Sequence, residues 1–213
     1  VYKKWEEAKE AVPNRQYNIP AAAMTGGKVY GRSQSEGYGS DVVYLEPKEV
    51  LTFDADVAEQ GLYEIWIDYY TLDKTALNPE LDVEINGKYQ FNEMNKLNLA
   101  IDWKVDDGSR KVDRFGDELT PKSAIMARWR SEGLADPNYF FTEPLKFLLH
   151  KGKNSVRITL NEGYILVGKI ELKNTQPSAV TYSEYRAALE GANLEDSKNG
   201  SNKVITIEAE QVS

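Results

Sequence analysis

The clearest regularity in the chain is a period of two. In Glu49 to Val57, the residues Leu51, Phe53, Ala55 and Val57 fall on one side and Thr52, Asp54 and Asp56 on the other, as in a half-buried strand. Gly61 to Tyr70 follows suit, with Tyr63, Ile65, Ile67 and Tyr69 apolar and Glu64, Trp66, Asp68 and Tyr70 mixed. Leu81-Asp82-Val83-Glu84-Ile85 runs into Asn86-Gly87, a type I′ turn signal, so Tyr89-Gln90-Phe91 is expected to return as a strand. Later come Leu145 to His150, a turn at Lys151-Gly152-Lys153-Asn154, Ser155 to Leu160, and Tyr164 to Lys173. Gly168 interrupts the alternation of that last strand, where a bulge is expected. Spaced antiparallel strands with turn residues between them predict a sandwich or barrel. Asn92 to Glu143 is less regular and predicts long loops with one or two strands, Ala124 to Arg130 foremost.

The ends have a helical period. Tyr2, Trp5, Ala8 and Val12 share one side of a short amphipathic helix. Thr181-Tyr182-Ser183-Glu184 is a capping-box pattern followed by Tyr185 and Ala188. Past each helix, Tyr17 to Thr25 aligns with Ile205 to Ser213, implying a repeat of roughly 180–190 residues. The expected organisation is a helical linker at 1–16, a sandwich at 17–175 with an insertion at 92–143, a second helical linker at 176–203, and the start of a following repeat at 204–213. The N-terminus VYKKWEEAKE lacks Met and a signal pattern, so the chain reads as an excised internal fragment.

Composition narrows the partners. The 26 Lys and Arg against 34 Asp and Glu leave a net charge of −8, and the basic residues are interleaved with acids. A phosphate-binding surface needs them clustered, so a nucleic-acid partner is not expected. No apolar run reaches the ~20 residues of a membrane span, so no direct membrane insertion is expected. With no cysteine, disulfides, thiolate metal sites and a cysteine nucleophile are excluded. The 13 Tyr and 4 Trp supply amphipathic rings of the kind that stack on sugars.

Four segments, in order, resemble the galactose-binding-like superfamily of carbohydrate-binding modules: Gly61-Leu62-Tyr63-Glu64-Ile65-Trp66, Val83-Glu84-Ile85-Asn86-Gly87, Leu148 to Val156, and Leu166 to Leu172. The resemblance implies a mainly β fold, a jelly-roll antiparallel β-sandwich with short flanking helices. The tail Ile207-Glu208-Ala209-Glu210 resembles the strand that opens such modules, whose glutamates help bind a structural calcium. In the covered module Pro20 and Ala22 stand in those places and supply no side-chain oxygen, so the calcium site is expected to be absent or weakened, and no other cofactor is expected. Tandem modules of this kind, preceded by a Tyr-rich helix, look like those of bacterial extracellular solute-binding lipoproteins of sugar ABC transporters. The implied setting is extracellular, at a bacterial cell surface, with an oligo- or polysaccharide and neighbouring domains of the same chain as partners.

For chemistry the chain offers little. His150 is the one histidine, at a strand end where a structural role is expected, and no catalytic motif is present. Asp106-Asp107-Gly108 reads as a surface turn rather than one of a glycosidase's paired carboxylates, so the protein is not expected to be an enzyme. For sugar binding the candidates are the rings Trp103, Trp129, Tyr139 and Phe140, with Arg128, Asp106 and Asp136 as hydrogen-bonding partners. Trp103 and Trp129 also fit as core anchors of the insertion; Trp66 and Tyr70 either line a groove or pack under it. Three functions remain: a glycan-binding module, a spacer or oligomerisation sandwich of the same fold without a ligand, and a fragment of a carbohydrate-active enzyme.

Overall fold

Two long strands organise the computed structural model, Gly61–Thr71 (β5) and Ile165–Lys173 (β13), paired antiparallel and almost entirely buried. The structure describes residues 2, 12–105, 112–119, 123–138, 140, 141 and 143–174. Contacts divide the chain into Val1–Asn174 and Thr175–Ser213, and the described residues all belong to the first unit. The helices expected around 3–11 and 181–188, and the 205–213 side of the repeat, lie outside the described residues.

The remaining described strands are Tyr17–Pro20 (β1), Lys28–Tyr30 (β2), Val42–Leu45 (β3), Val50–Val57 (β4), Glu80–Ile85 (β6), Leu97–Asn98 (β7), Trp103–Val105 (β8), Ser123–Ile125 (β9), Trp129–Gly133 (β10), Lys146–Leu149 (β11) and Gly152–Glu162 (β12). One sheet has seven strands and runs β10-β5-β13-β3-β2, with β11 also on β5 and β1 also on β13; the other runs β4-β12-β6-β7. They form an antiparallel jelly-roll β-sandwich. Each long strand is flanked by two short ones laid end to end. Along β5, β11 covers Gly61–Glu64 and β10 covers Trp66–Tyr70; along β13, β3 covers Ile165–Val167 and β1 covers Lys169–Leu172. The register of β13 shifts between Val167 and Ile170, at the join between its two partners, which is the bulge expected at Gly168.

Alternation sorts the faces. Leu51, Phe53, Ala55 and Val57 of β4 meet Tyr63, Ile65, Ile67 and Tyr69 of β5 in one core, joined by Val156, Ile158 and Leu160 of β12 and Ile170 and Leu172 of β13. The strand β3 was not anticipated. Val42-Val43-Tyr44-Leu45 is buried on both faces, Val43 and Leu45 in the main core and Val42 and Tyr44 in a second cluster outside the seven-stranded sheet. A strand apolar on both sides shows no period of two.

Two expectations are corrected. Asn86 and Gly87 both have positive φ (52° and 72°), as a type I′ turn demands, but Tyr89-Gln90-Phe91 does not continue as a strand. Phe91 turns into the core against Tyr2 and Phe147, and the Gln90 amide pairs with the backbone of β11: its Oε1 accepts from Leu148 N (2.9 Å) and its Nε2 donates to Leu148 O (2.7 Å). One side chain thus supplies what a neighbouring strand would have supplied. The other correction concerns Asn92 to Glu143. Its described residues hold four short strands, and Ala124 to Arg130 is two strands rather than one: β9 pairs with β8 in a separate ribbon, whereas β10 joins the main sheet.

The turn before β12 is locked by Asn154, which is 0% exposed. Its Nδ2 reaches the carbonyls of His150 (2.7 Å), Gly152 (3.0 Å) and Ala55 (3.4 Å), while its Oδ1 accepts from His150 N (3.0 Å) and Asn86 Nδ2 (3.1 Å). Asn154→Ala orphans several buried polar groups at once. It is expected to cost about 2–3 kcal/mol, read in urea or thermal unfolding as a drop in Tm of roughly 5–10 °C.

Candidate functional site

The outer face of the seven-stranded sheet carries aromatics where an exposed sheet face would carry charge. Pairing puts Trp129 opposite Tyr70, Tyr70 opposite Leu166, and Leu166 opposite Tyr44, so these side chains form one transverse row. Tyr30 of β2 extends it, stacked on Tyr44 with ring centres 5.3 Å apart and planes within 5°. Tyr38, Leu72 and Tyr164 pack against the same cluster.

The two ends of the row differ. At the Tyr44 end, Lys74 Nζ sits 4.8 Å from the Tyr44 ring centre and 4.9 Å from that of Tyr164, and donates to Tyr44 Oη at 2.6 Å. Tyr44 in turn donates to Glu46 Oε1 at 2.9 Å. Burial raises the Tyr44 phenol above its ordinary pKa, and the Lys74 ammonium is held up by its bond to that phenol. The result is an amphipathic corner of rings, ammonium and carboxylate, with Lys74 exposed.

At the other end the segment after β2 straps across the sheet. Trp129 Nε1 donates to the carbonyls of Ser35 and Glu36 (3.1 Å each), its ring lies 4.2 Å from that of Tyr38, and Tyr38 donates to Asp68 Oδ2 at 2.6 Å. Burial first, then this bond to Asp68, drives the Tyr38 phenol far above its ordinary value. Gly168 permits the strap: a Cβ there would lie 2.3 Å from the Tyr38 ring. Further along the same face, Lys173 Nζ lies 4.5 Å from the Trp66 ring centre, and Trp66 Nε1 donates to Glu64 Oε2 at 2.8 Å. Trp66 is half-buried between these charged neighbours and Gly133 of the insertion, which it faces across the β5–β10 pair.

The residues singled out from sequence occupy different environments. Trp129 is half-buried in the row described above, and Tyr70 beside it. Trp103 stands on β8, paired with Ile125, and is 49% exposed. Arg128 is ion-paired through Nε to Asp102, which also holds Arg130. Asp136 is 2% exposed, its oxygens accepting the backbone N–H of Asn138 (3.2 Å) and Phe140 (2.9 Å), so it shapes its own loop. Phe140 is 82% exposed. Tyr139 and Asp106 lie outside the described residues. Tyr30, Tyr44, Tyr164 and Lys74 were not anticipated; the continuous apolar run of β3 was the one signal for a second buried layer.

Pro20 and Ala22 line a cleft of about 320 Å³ with Asn18, Tyr38, Asp41 and Lys169. Among the described residues no group of three or more acids or histidines is arranged to hold a metal. Nor, among them, is any helix long and apolar enough to cross a membrane.

No family profile matches the sequence, and no curated protein matches it. Solved structures do: the native family 35 carbohydrate binding module from Clostridium thermocellum (14% identity, 76% of this chain and 99% of that one, TM-score 0.43) and the C-terminal CBM6 of LamC, a marine laminarinase from Zobellia galactanivorans (11% identity, 75% and 100%, TM-score 0.44). A Podospora anserina GH26-CBM35 β-(1,4)-mannanase is similar over 79% of this chain at 15% identity and TM-score 0.44, and the chain spans 29% of that enzyme.

Glu171, 5% exposed, sits on the outer face between Lys169 and Lys173, the latter at 2.6 Å. Burial raises its carboxyl, but the two ammonium groups outweigh it and hold the pKa below the ordinary 4.5. A depressed pKa contributes stability above the ordinary value that is lost as pH falls through the lowered one. Glu171→Gln is therefore expected to cost about 2 kcal/mol at neutral pH. Tm measured against pH should show the gap to the wild type closing below pH 4.5.

Proposed function

We propose that this domain is a non-catalytic saccharide-binding module and that the outer face of its seven-stranded sheet is the binding surface. The observation that supports this reading is the row Trp129, Tyr70, Leu166, Tyr44 and Tyr30, which crosses five strands. At about 4.8 Å per strand it spans roughly 19 Å, room for an oligosaccharide rather than a lone ring. Trp129, Tyr70 and Tyr30 are the partly open rings of the row and offer flat faces to the C–H side of pyranoses, above the buried Leu166 and Tyr44, and Lys74 and Glu46 stand at one end for hydroxyl hydrogen bonds. Binding needs no metal on this reading, since neither Pro20 nor Ala22 offers a side-chain ligand.

The finer setting, an extracellular bacterial sugar-uptake protein, draws on the resemblance of tandem modules preceded by a Tyr-rich helix to those of bacterial solute-binding lipoproteins. Affinity electrophoresis on soluble polysaccharides, preceded by a glycan array, tests the function. Retention by at least one glycan is expected, unchanged by a chelator and weakened roughly tenfold in Tyr70→Ala with Tyr164→Ala. An array negative for every glycan would favour a ligand-free spacer, and retention unaffected in that double variant would move the site off the sheet face.

A further inference from the structure

A second cavity, of about 520 Å³, lies at the β7 edge of the four-stranded sheet, away from the aromatic row. Its lining is of another kind: Asn92, Asn95, Asn98 and Asn138, with Lys96, Glu80 and Glu93. Among the described residues these side chains come from three places, the start of β6, the segment running into β7, and the loop before β11.

Both walls are held by internal bonds. Lys96 has φ +61°, a conformation that non-glycine residues seldom adopt, and its N–H donates to Asp82 Oδ1 at 2.9 Å. That oxygen also accepts from Asn161 Nδ2 at 2.7 Å, and Asn161 reaches Glu80 Oε1 at 3.3 Å. Asn95 Nδ2 donates to the carbonyl of Asn92 at 3.2 Å. Across the cavity the buried carboxylate of Asp136 fixes the turn that presents Asn138. Such strain is kept where surrounding contacts over-determine it, a condition met at binding sites.

From this lining we infer a second ligand site, for a neutral, hydroxyl-rich molecule such as a saccharide unit. An amide offers two donors and an acceptor, matching hydroxyls that both give and take hydrogen bonds without adding charge. Among the described lining residues two carboxylates stand against one ammonium, a balance that disfavours an anionic ligand. The described lining residues include no stacking ring, so the affinity they supply comes from hydrogen bonds, weaker than on an aromatic platform but more selective for hydroxyl configuration. The inference stands independently of the sheet-face reading.

The test is a ¹⁵N–¹H NMR titration of the full chain with D-galactose, D-mannose, D-glucose and D-xylose, and with D-glucuronate as the charged comparison. The side-chain amide signals of Asn92, Asn95, Asn98 and Asn138 are expected to move saturably with at least one neutral sugar. Asn98→Ala with Asn138→Ala, both exposed positions, should weaken that binding roughly tenfold with Tm unchanged. Immobile amides with every neutral sugar overturn the inference, even if residues of the sheet face respond. Tighter binding of glucuronate than of glucose at these amides overturns the neutral class.

Discussion

The β5–β13 pairing is the constraint from which the rest of the structure follows. Both strands run the length of the large sheet and both are buried on each side, so each must place apolar groups inward and find cover outward. Inward, the four-stranded sheet provides the cover. Outward, the described residues supply that cover with aromatics, ion pairs around Glu171 and the strap carrying Tyr38. The candidate binding face is thus a by-product of how the central strands are covered.

Core and insertion also meet at Tyr69. Its ring belongs to the main core, but its hydroxyl reaches the carbonyl of Ala100 (2.8 Å) and the carboxylate of Glu132. Burial and then that carboxylate raise its phenol well beyond the ordinary range, so it acts as a permanent donor. Arg130 and Asp102 continue the chain of contacts to Arg128. The insertion is therefore fastened through these polar contacts as well as by Met94, Leu97, Leu99 and Leu134 in the main core, and Arg128 is committed to that fastening.

Legibility followed period. Strands with one wet face, such as β4 and β6, were plain in the alternation, and the bulge at Gly168 and the turn at Asn86-Gly87 were plain in residue type. What escaped was whatever depends on non-local partners. Nothing local in Tyr89-Gln90-Phe91 reveals that Gln90 finds β11, 58 residues away. Lys74 and Tyr44 are likewise 30 residues apart, and each alone is an ordinary loop or strand residue. Trp129 was legible as an aromatic of interest, but not as the anchor of a strap, since its acceptors at Ser35 and Glu36 are backbone carbonyls.

The Gln90 amide has a consequence beyond its own turn. An open strand margin invites a foreign chain to add itself, the first step toward domain exchange or fibre growth. Beside Leu148 that place is already taken by a side chain that satisfies one donor and one acceptor and then ends, because it has no next residue to offer. A single glutamine works here as a terminator of polymerisation, a guard of solubility for a sandwich whose seven-stranded sheet would otherwise be extensible at that margin.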